Sequence, residues 1–186
     1  MSRIQILDPK SATGEARRLL DAVQSQLGVT PNFIRLLARS PKALEGFLGL
    51  YGAAAGFALD KPTQERIALA VAEGNGCEYC VSAHTAIGRH AGLSNTEMLL
   101  NRQGTAGEAK AAATVAFARA INDNLGEITD ADFAAARAAG LSDAEIVETI
   151  ATVALNIYTN LLGKVSRIDI DFPKVGLLDE ATRRAA

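Results

Sequence analysis

The sequence predicts an all-α fold of about eight helices in a single domain. Apolar residues recur three and four positions apart, which is the spacing of one helix face. Helix-capping residues and terminating glycines divide the chain into segments, and no segment alternates apolar and polar residues as a half-buried strand does. At 186 residues the chain is long enough for one domain with a sizeable core. We therefore expect residues 1–186 to form this one domain.

The first helix is predicted over residues 14–27. An extended lead-in at residues 3–9 precedes it, and Gly28 follows it as a terminator. Its apolar residues form one stripe, so we expect this helix to pack against the rest of the domain.

Two further helices are predicted before residue 57. Thr30 is the expected N-cap of the first, with Pro31 at its first helical position. Ser40 and Pro41 repeat this signal and open a longer helix that runs to about residue 56. These N-terminal helices, residues 14–40, are expected to belong to the same domain as the later ones.

The centre of the predicted domain, residues 40–125, contains two helices joined by a short Gly-rich turn. The first begins after Asp60 and runs toward the glycines at positions 74 and 76. The second covers residues 77–91 and ends at Gly92. If the two helices pack antiparallel across this turn, Glu65 on the first comes near His84 on the second.

The later helices follow from repeated capping signals. Ser94 and Ser142 each begin a Ser-x-x-Glu sequence, the pattern of a capping box, with Glu97 and Glu145 as its last residues. A further helix is predicted over residues 108–121.

The C-terminal helices, residues 129–163, are assigned to the same domain. Thr129 is expected to cap a helix over residues 130–139, and a long apolar helix runs from Ser142 to about residue 162. A helix that is apolar over much of its circumference is normally buried, here either centrally or in a subunit interface. The tail from residue 165 has no regular signal.

The chemistry of the chain is concentrated at the start of the helix predicted over residues 77–91. Both cysteines of the protein, Cys77 and Cys80, and the histidine His84 lie there within eight residues. A helix turns about 100° per residue, so the three side chains share one face. Cysteines three apart on a helix have Cα atoms about 5 to 5.5 Å apart, which a disulfide accommodates. The helix N-terminus favours thiolate, and His84 is positioned to exchange a proton with a sulfur.

Three other interpretations of this cluster stay open at this point. Cysteines are often small buried hydrophobic residues with a packing role only. The three side chains are also zinc ligands, although a structural zinc site usually has four, and no second ligand pair is visible. Thioredoxin-like exchange would expect a preceding strand, and none is predicted. A lone Glu is usually a solvated surface residue, which is the default for both Glu65 and Glu73.

Composition and charge argue against several classes of partner. The net charge is −2, which gives no electrostatic signal for nucleic acid or an anionic membrane surface. The N-terminus has no apolar signal core, and no segment has about 20 uninterrupted apolar residues. We expect a cytoplasmic protein with neither membrane nor nucleic-acid partners. In that reducing compartment, a Cys-x-x-Cys pair is typically catalytic or metal-binding.

Glu65, Cys77, Cys80 and His84 together reproduce the Glu-x11-Cys-x-x-Cys-x-x-x-His pattern. On this pattern the chain resembles the alkylhydroperoxidase D-like (AhpD-like) family of the carboxymuconolactone decarboxylase superfamily, in its peroxidase-related branch. The resemblance extends from the segment at residues 28–33 to Asp-Phe-Pro at 171–173. It implies an AhpD-like fold, assembly into homo-oligomers (trimers or hexamers), and antioxidant reduction of small hydroperoxides.

The resemblance also implies a role for each residue of the pattern. Cys80 would be the peroxidatic cysteine and Cys77 the resolving one, with the disulfide as the oxidised product. His84 and Glu65 would form the proton relay. No cofactor and no metal is implied, and the reductant would be an unidentified thiol or a lipoyl-type group.

This sequence departs from the family pattern at one position. The best-studied members carry a second histidine between the cysteines, where this chain has Tyr79, which donates a hydrogen bond but is no base near neutral pH. The alternatives are a non-peroxidase member of the superfamily, either a disulfide reductase or a decarboxylase-like enzyme, and a zinc-stabilised helical interaction module. The decarboxylases generally lack the cysteine pair.

Overall fold

The computed structural model describes residues 2–179, and residues 1 and 180–186 of the predicted domain lie outside them. The described residues form an all-α fold, as the sequence predicts, with nine α-helices and no strand. A short 3-10 turn, Ala54–Gly56, follows the third helix. The helices are α1 (Gly14–Leu27), α2 (Asn32–Leu37), α3 (Pro41–Ala53), α4 (Lys61–Gly74), α5 (Glu78–His90), α6 (Asn95–Arg102), α7 (Ala109–Asp123), α8 (Asp130–Ala138) and α9 (Asp143–Ser166).

Helix α4 lies at the centre of the fold. It packs against α5, α6, α7 and α9. Every residue from Ile67 to Glu73 is buried, so this segment has no solvent-facing side. Small residues such as Ala68, Ala70 and Ala72 let the neighbouring helices approach closely. Helix α5, which begins with the cysteine motif, therefore lies directly against the most buried element of the chain.

Most of the predicted helix starts are confirmed. The side chains of Ser40 and Asp60 accept hydrogen bonds from the first turns of α3 and α4. Thr129 and Ser142 form complete capping boxes at the starts of α8 and α9.

The capping box predicted at Ser94 forms only in part. The Ser94 hydroxyl accepts a hydrogen bond from the Glu97 backbone N–H, but the Glu97 carboxylate binds Arg66 and the backbone N–H of Gly107 instead. A tertiary salt bridge thus takes the place of the local return bond.

The C-terminal strap, residues 167–179, has no helix or strand and crosses α5 near its N-terminus. Ser82 exchanges hydrogen bonds with the backbone of Val175. The buried Glu73 carboxylate accepts from the Leu178 N–H and pairs with Arg102, whose guanidinium also donates to the Gly176 carbonyl. Glu73, one of the two acids weighed from the sequence, thus anchors the strap.

The prediction that Thr30 caps the second helix is wrong. Helix α2 begins at Asn32, its N-cap is Pro31, and no side chain of the N-cap residue bonds to it. The Asn32 N–H instead donates to a carboxylate oxygen of Asp171 in the strap, over 2.7 Å. An acid supplied by a distant part of the chain therefore satisfies this helix start.

Helix α9 runs four residues beyond its predicted end and has two different faces. One face is buried in the fold, while a stripe of large apolar side chains on the other is exposed. This exposed stripe consists of Val147, Ile150, Tyr158, Leu161 and Val165. In the part of the chain described, α9 is the one helix long and apolar enough to cross a membrane. Core helices of other proteins pass the same length and composition test.

Candidate functional site

A glycine turn between α4 and α5 sets the position of the cysteine motif. Gly76 has φ +63°, a left-handed conformation that glycine adopts without strain. The Cys77 N–H bonds to the Ala72 carbonyl and the Gly76 N–H to the Glu73 carbonyl, which is the Schellman pattern of a helix end. The same turn that ends α4 therefore delivers Cys77 as the N-cap of α5.

Cys77 and Cys80 are joined by a disulfide across the first turn of α5. Their Cα atoms are 5.2 Å apart, within the range expected from the sequence spacing. The Cys77 sulfur also accepts a hydrogen bond from the Cys80 N–H over 3.3 Å, as a capping side chain does. Only 1% of Cys77 and 3% of Cys80 is exposed to solvent.

The side chains of Glu65 and His84 are in contact across the antiparallel pair α4 and α5. Glu65 Oε2 lies 2.7 Å from His84 Nδ1. The other carboxylate oxygen of Glu65, Oε1, lies 2.6 Å from the ammonium nitrogen of Lys61, one turn earlier on α4. Glu65 is only 2% exposed, so both contacts are made by a buried carboxylate.

Both charged partners in this cluster are stabilised in their ionised forms. Burial by itself would raise the pKa of the Glu65 carboxyl, but His84 and Lys61 outweigh it and hold that pKa below its usual value. Burial likewise opposes the charge of Lys61, but the Glu65 carboxylate raises the pKa of the ammonium above its usual value.

An apolar pocket of about 180 Å³ opens onto this cluster. Cys80, His84, Glu65 and Lys61 line it, and Cys77 does not. The other walls come from α1, α2, α3, α9 and the strap. Apolar side chains dominate these walls, including Leu27, Phe33, Ile34, Phe47, Leu48, Tyr51, Leu155 and Phe172.

Tyr79 lines the same pocket, but its hydroxyl bonds to the strap and to α2. The hydroxyl donates to Asp171 over 2.9 Å and accepts from the Phe33 N–H over 3.2 Å. Its ring packs edge-on against Phe172. Burial and the nearby Asp171 carboxylate raise the pKa of the phenol above its usual value. In this structure, the Tyr79 hydroxyl therefore donates its hydrogen bond to Asp171.

Two residues beside the site were not identified from the sequence. Lys61 contacts Glu65, and their i, i+4 spacing on one helix is a signal that would have found it. Gly163 of α9 faces the disulfide, since a Cβ there would lie 3.2 Å from the Cys77 sulfur. A glycine inside a long apolar helix is a general sign of close approach.

Within the described part of the chain, the tertiary structure brings together no candidate set of metal ligands. Among residues 2–179, no group of three or more His, Cys, Asp or Glu side chains is placed to hold a metal ion. The cysteine pair has His84 nearby in sequence, but the imidazole binds Glu65.

Comparisons with known proteins match part of the chain to one protein family. Residues 41–123 match the model of the carboxymuconolactone decarboxylase family. That range contains Lys61, Glu65, Cys77, Cys80 and His84. No curated protein matches the chain in a sequence comparison.

Several solved structures share the fold. A peroxidase-related protein from Ralstonia eutropha, described as an alkylhydroperoxidase AhpD core, is 24% identical with a TM-score of 0.82, over 91% of this chain and 92% of that one. A peroxidase-related protein from Silicibacter is 23% identical with a TM-score of 0.77, over 91% and 94%. A cysteine-to-alanine variant of the debrominase Bmp8, in complex with 2,3,4-tribromopyrrole, is 19% identical with a TM-score of 0.78, over 100% and 95%. At these identities the likeness establishes the AhpD-like fold.

Proposed function

We propose that this chain, whose residues 41–123 match the carboxymuconolactone decarboxylase family, is a cytoplasmic thiol-dependent hydroperoxide reductase with an antioxidant role. One observation carries the proposal. Of the two sulfurs, Cys80 lines the apolar pocket, which is also lined by the His84 imidazole that the buried Glu65 holds. A reactive sulfur, a proton acceptor and an apolar binding space therefore meet at one place.

In the first step, the Cys80 thiolate attacks the terminal oxygen of the hydroperoxide ROOH. An S–O bond forms, the O–O bond breaks, and the leaving alkoxide takes a proton to become the alcohol ROH. Cys80 becomes a sulfenic acid, Cys–SOH. The peroxide is reduced by the two electrons that the sulfur supplies.

In the second step, the Cys77 thiolate attacks the sulfur of that sulfenic acid. The disulfide forms and the hydroxyl leaves with a proton as water. The 5.2 Å Cα separation supports this step, because the bond closes across one helical turn without displacing α5.

Proton transfer is assigned to His84 and Glu65. With His84 Nδ1 bound to Glu65, the tautomer is fixed by that contact, and Nε2 is the nitrogen that takes the thiol proton and returns it to the leaving alkoxide. Tyr79 can act as a second hydrogen-bond donor in the reaction only when its hydroxyl leaves Asp171.

The cycle needs an external dithiol that returns two electrons and two protons to the disulfide. Both sulfurs are almost fully buried, and the pocket opens onto Cys80. A slender thiol, such as a lipoyl-type dithiol on a flexible arm, fits this access better than a thiol fixed on a broad protein surface.

Self-association belongs to the same proposal. The exposed stripe on α9 is a continuous apolar face with helical spacing, and such a face commonly marks an interface. We assign it to contacts between copies of this chain in a trimer or hexamer.

A second candidate function is reductive removal of a halogen from a small aromatic ring. The observation that favours it is the pocket itself, since an apolar cavity of about 150 Å³ is known to hold one benzene ring and this one measures about 180 Å³. The electron balance is that of the peroxidase reaction. Two thiols are oxidised to the disulfide, while the aryl bromide is reduced to the arene and hydrogen bromide is released.

The deciding experiment counts free thiols in the reduced protein after addition of a near-stoichiometric organic hydroperoxide. Rapid loss of both thiols, restored by a dithiol, supports the peroxidase proposal. Thiols that survive as long as an ordinary exposed cysteine would refute it. A parallel reaction with a brominated pyrrole, read by bromide release, tests the second candidate.

A further inference from the structure

The Lys61 ammonium group contacts the carboxylate through which His84 is held, and neither the family pattern nor the resemblance gives it a role. We propose that Lys61 is a positioning residue: its ammonium keeps the buried Glu65 carboxylate ionised and oriented, so that His84 Nε2 stays available to Cys80. The inference rests on the proposed function for the identity of the reaction, but the proton chemistry it describes is measurable without a peroxide.

Burial makes the charge of Glu65 dependent on its partners. A carboxylate that is 2% exposed is strongly destabilised unless each oxygen has a charged or hydrogen-bonding partner. His84 contacts Oε2 at 2.7 Å and Lys61 contacts Oε1 at 2.6 Å. When His84 is neutral, as it must be to accept a proton, Lys61 is the cation that balances the carboxylate.

The protonation state of Glu65 decides what His84 can do. As a carboxylate, Glu65 accepts a hydrogen bond from Nδ1–H, which leaves the Nε2 lone pair free to take the Cys80 proton. As a neutral acid it would donate to Nδ1, and the hydrogen of the neutral ring would then sit on Nε2. In that state His84 no longer accepts a proton from the sulfur.

Lys61 is itself held at the edge of the pocket. Its ammonium nitrogen lies 5.4 Å from the centre of the Tyr51 ring of α3, a cation–π distance, while 46% of its side chain is exposed. The pocket wall contributed by α9 carries no charged side chain, since it consists of Thr152, Leu155, Asn156 and Thr159. The titratable side chains that line the pocket are Tyr51, Lys61, Glu65, Tyr79, Cys80 and His84.

The sign of the effect follows from charge. The reactive state of the Glu65, His84 and Cys80 cluster has one proton fewer than the unreactive state in which both His84 and Cys80 are protonated. A neighbouring cation favours loss of that proton. Removing Lys61 therefore moves the onset of Cys80 reactivity to higher pH.

The test measures the rate at which iodoacetamide alkylates Cys80 as a function of pH, with Cys77→Ser as the background so that one thiol remains. Lys61→Met is compared with Lys61→Arg, which keeps the charge, and with Lys42→Met, which removes an exposed lysine of α3 that pairs with Glu15 and Glu45. We expect the midpoint to rise by about 0.5 to 1 pH unit in Lys61→Met, and to stay in place in the other two variants.

An unchanged midpoint in Lys61→Met would overturn the proposal, as would an equal shift in Lys61→Arg, since that would indicate packing and not charge. If Lys61→Met does not fold, as judged by circular dichroism, Lys61→Gln serves as the neutral variant with the same expected rise. A wild-type protein inert to hydroperoxides with the expected midpoint shift would refute the proposed function alone and leave the role of Lys61 standing.

Discussion

Gly163 on α9 approaches the sulfur of Cys77 so closely that a Cβ atom there would lie 3.2 Å from it. The same Cβ would lie 3.8 Å from the Cys80 sulfur. Helix α9 thus packs directly against the two cysteines. The cysteine motif itself does not predict this contact.

Gly163→Ala is expected to make the disulfide easier to reduce. The added methyl crowds the Cys77 sulfur when it is fixed in the disulfide, whereas a free thiol can rotate away. An overpacking cost of about 1 kcal/mol in the oxidised form corresponds to a rise of about 20 mV in reduction potential. Equilibration with a dithiothreitol series measures it. Gly49→Ala on α3, where a Cβ meets nothing within 4 Å, is the matched control; equal potentials in both variants would contradict the prediction.

Replacing each of the two cysteines by serine is expected to affect the reaction differently. Cys80→Ser should reduce hydroperoxide consumption to the background rate, because the sulfur that lines the pocket is lost. Cys77→Ser should leave a sulfenic acid on Cys80 that dimedone traps and mass spectrometry detects. Serine is a good N-cap, so this variant should keep the start of α5. Dimedone labelling of Cys77 in the Cys80→Ser protein would reverse the two roles.

Because of Glu65, the free energy of unfolding should decrease as the pH falls below the usual carboxyl pKa of 4.5. The folded-state pKa of Glu65 lies below the usual value of 4.5, so its stabilisation is present above that value and is lost as pH falls through the folded-state pKa. Glu65→Gln should lower the free energy of unfolding by about 1 to 3 kcal/mol at pH 7. Urea unfolding should show this difference shrinking below pH 4.5. A difference that is constant down to acid pH would contradict the prediction.

Tyr79 and Asp171 should stabilise the fold as a coupled pair. Tyr79→Phe and Asp171→Asn each weaken the bond that ties the strap to α5, and each should lower the free energy of unfolding by about 1 kcal/mol. The double variant should cost less than the sum, with a coupling of about 0.5 kcal/mol or more. Strict additivity would show that the hydroxyl and the carboxylate act independently.

The exposed stripe on α9 should carry the self-association of the chain. Leu161→Glu places a charge in the middle of that apolar face and should weaken association at least about tenfold, as loss of a central interface residue does. Light scattering coupled to gel filtration measures the mass. Leu125→Glu, an equally drastic change at an 86% exposed leucine outside α9, is the control. If Leu161→Glu keeps the mass of the wild type, the stripe is not the interface.

Much of the secondary structure was predictable because its signals are local. The caps at Ser40, Asp60 and Ser142 act on backbone groups within one turn, so their sequence alone fixes where α3, α4 and α9 begin. The predictions failed where a distant group competed. Asp171 caps α2 in place of Thr30, and Arg66 draws away the Glu97 side chain expected to close the box at Ser94.

The candidate site divides in the same way. The spacing of Cys77 and Cys80 determined by itself that a disulfide can close, and antiparallel packing across the short turn before them was one way for Glu65 to meet His84. Each of these relationships depends on one helix or on two helices joined by a few residues.

Only the tertiary structure decided which sulfur faces the pocket and what surrounds it. The pocket combines walls from six helices and the strap, Gly163 approaches Cys77 from α9, and the Tyr79 hydroxyl finds Asp171 ninety-two residues away. Contacts of this kind depend on how helices pack, which is set by side-chain shape across the whole core and by no single local pattern. The sequence therefore determined the reactive groups and their local geometry, while packing decided their access, their neighbours and their burial.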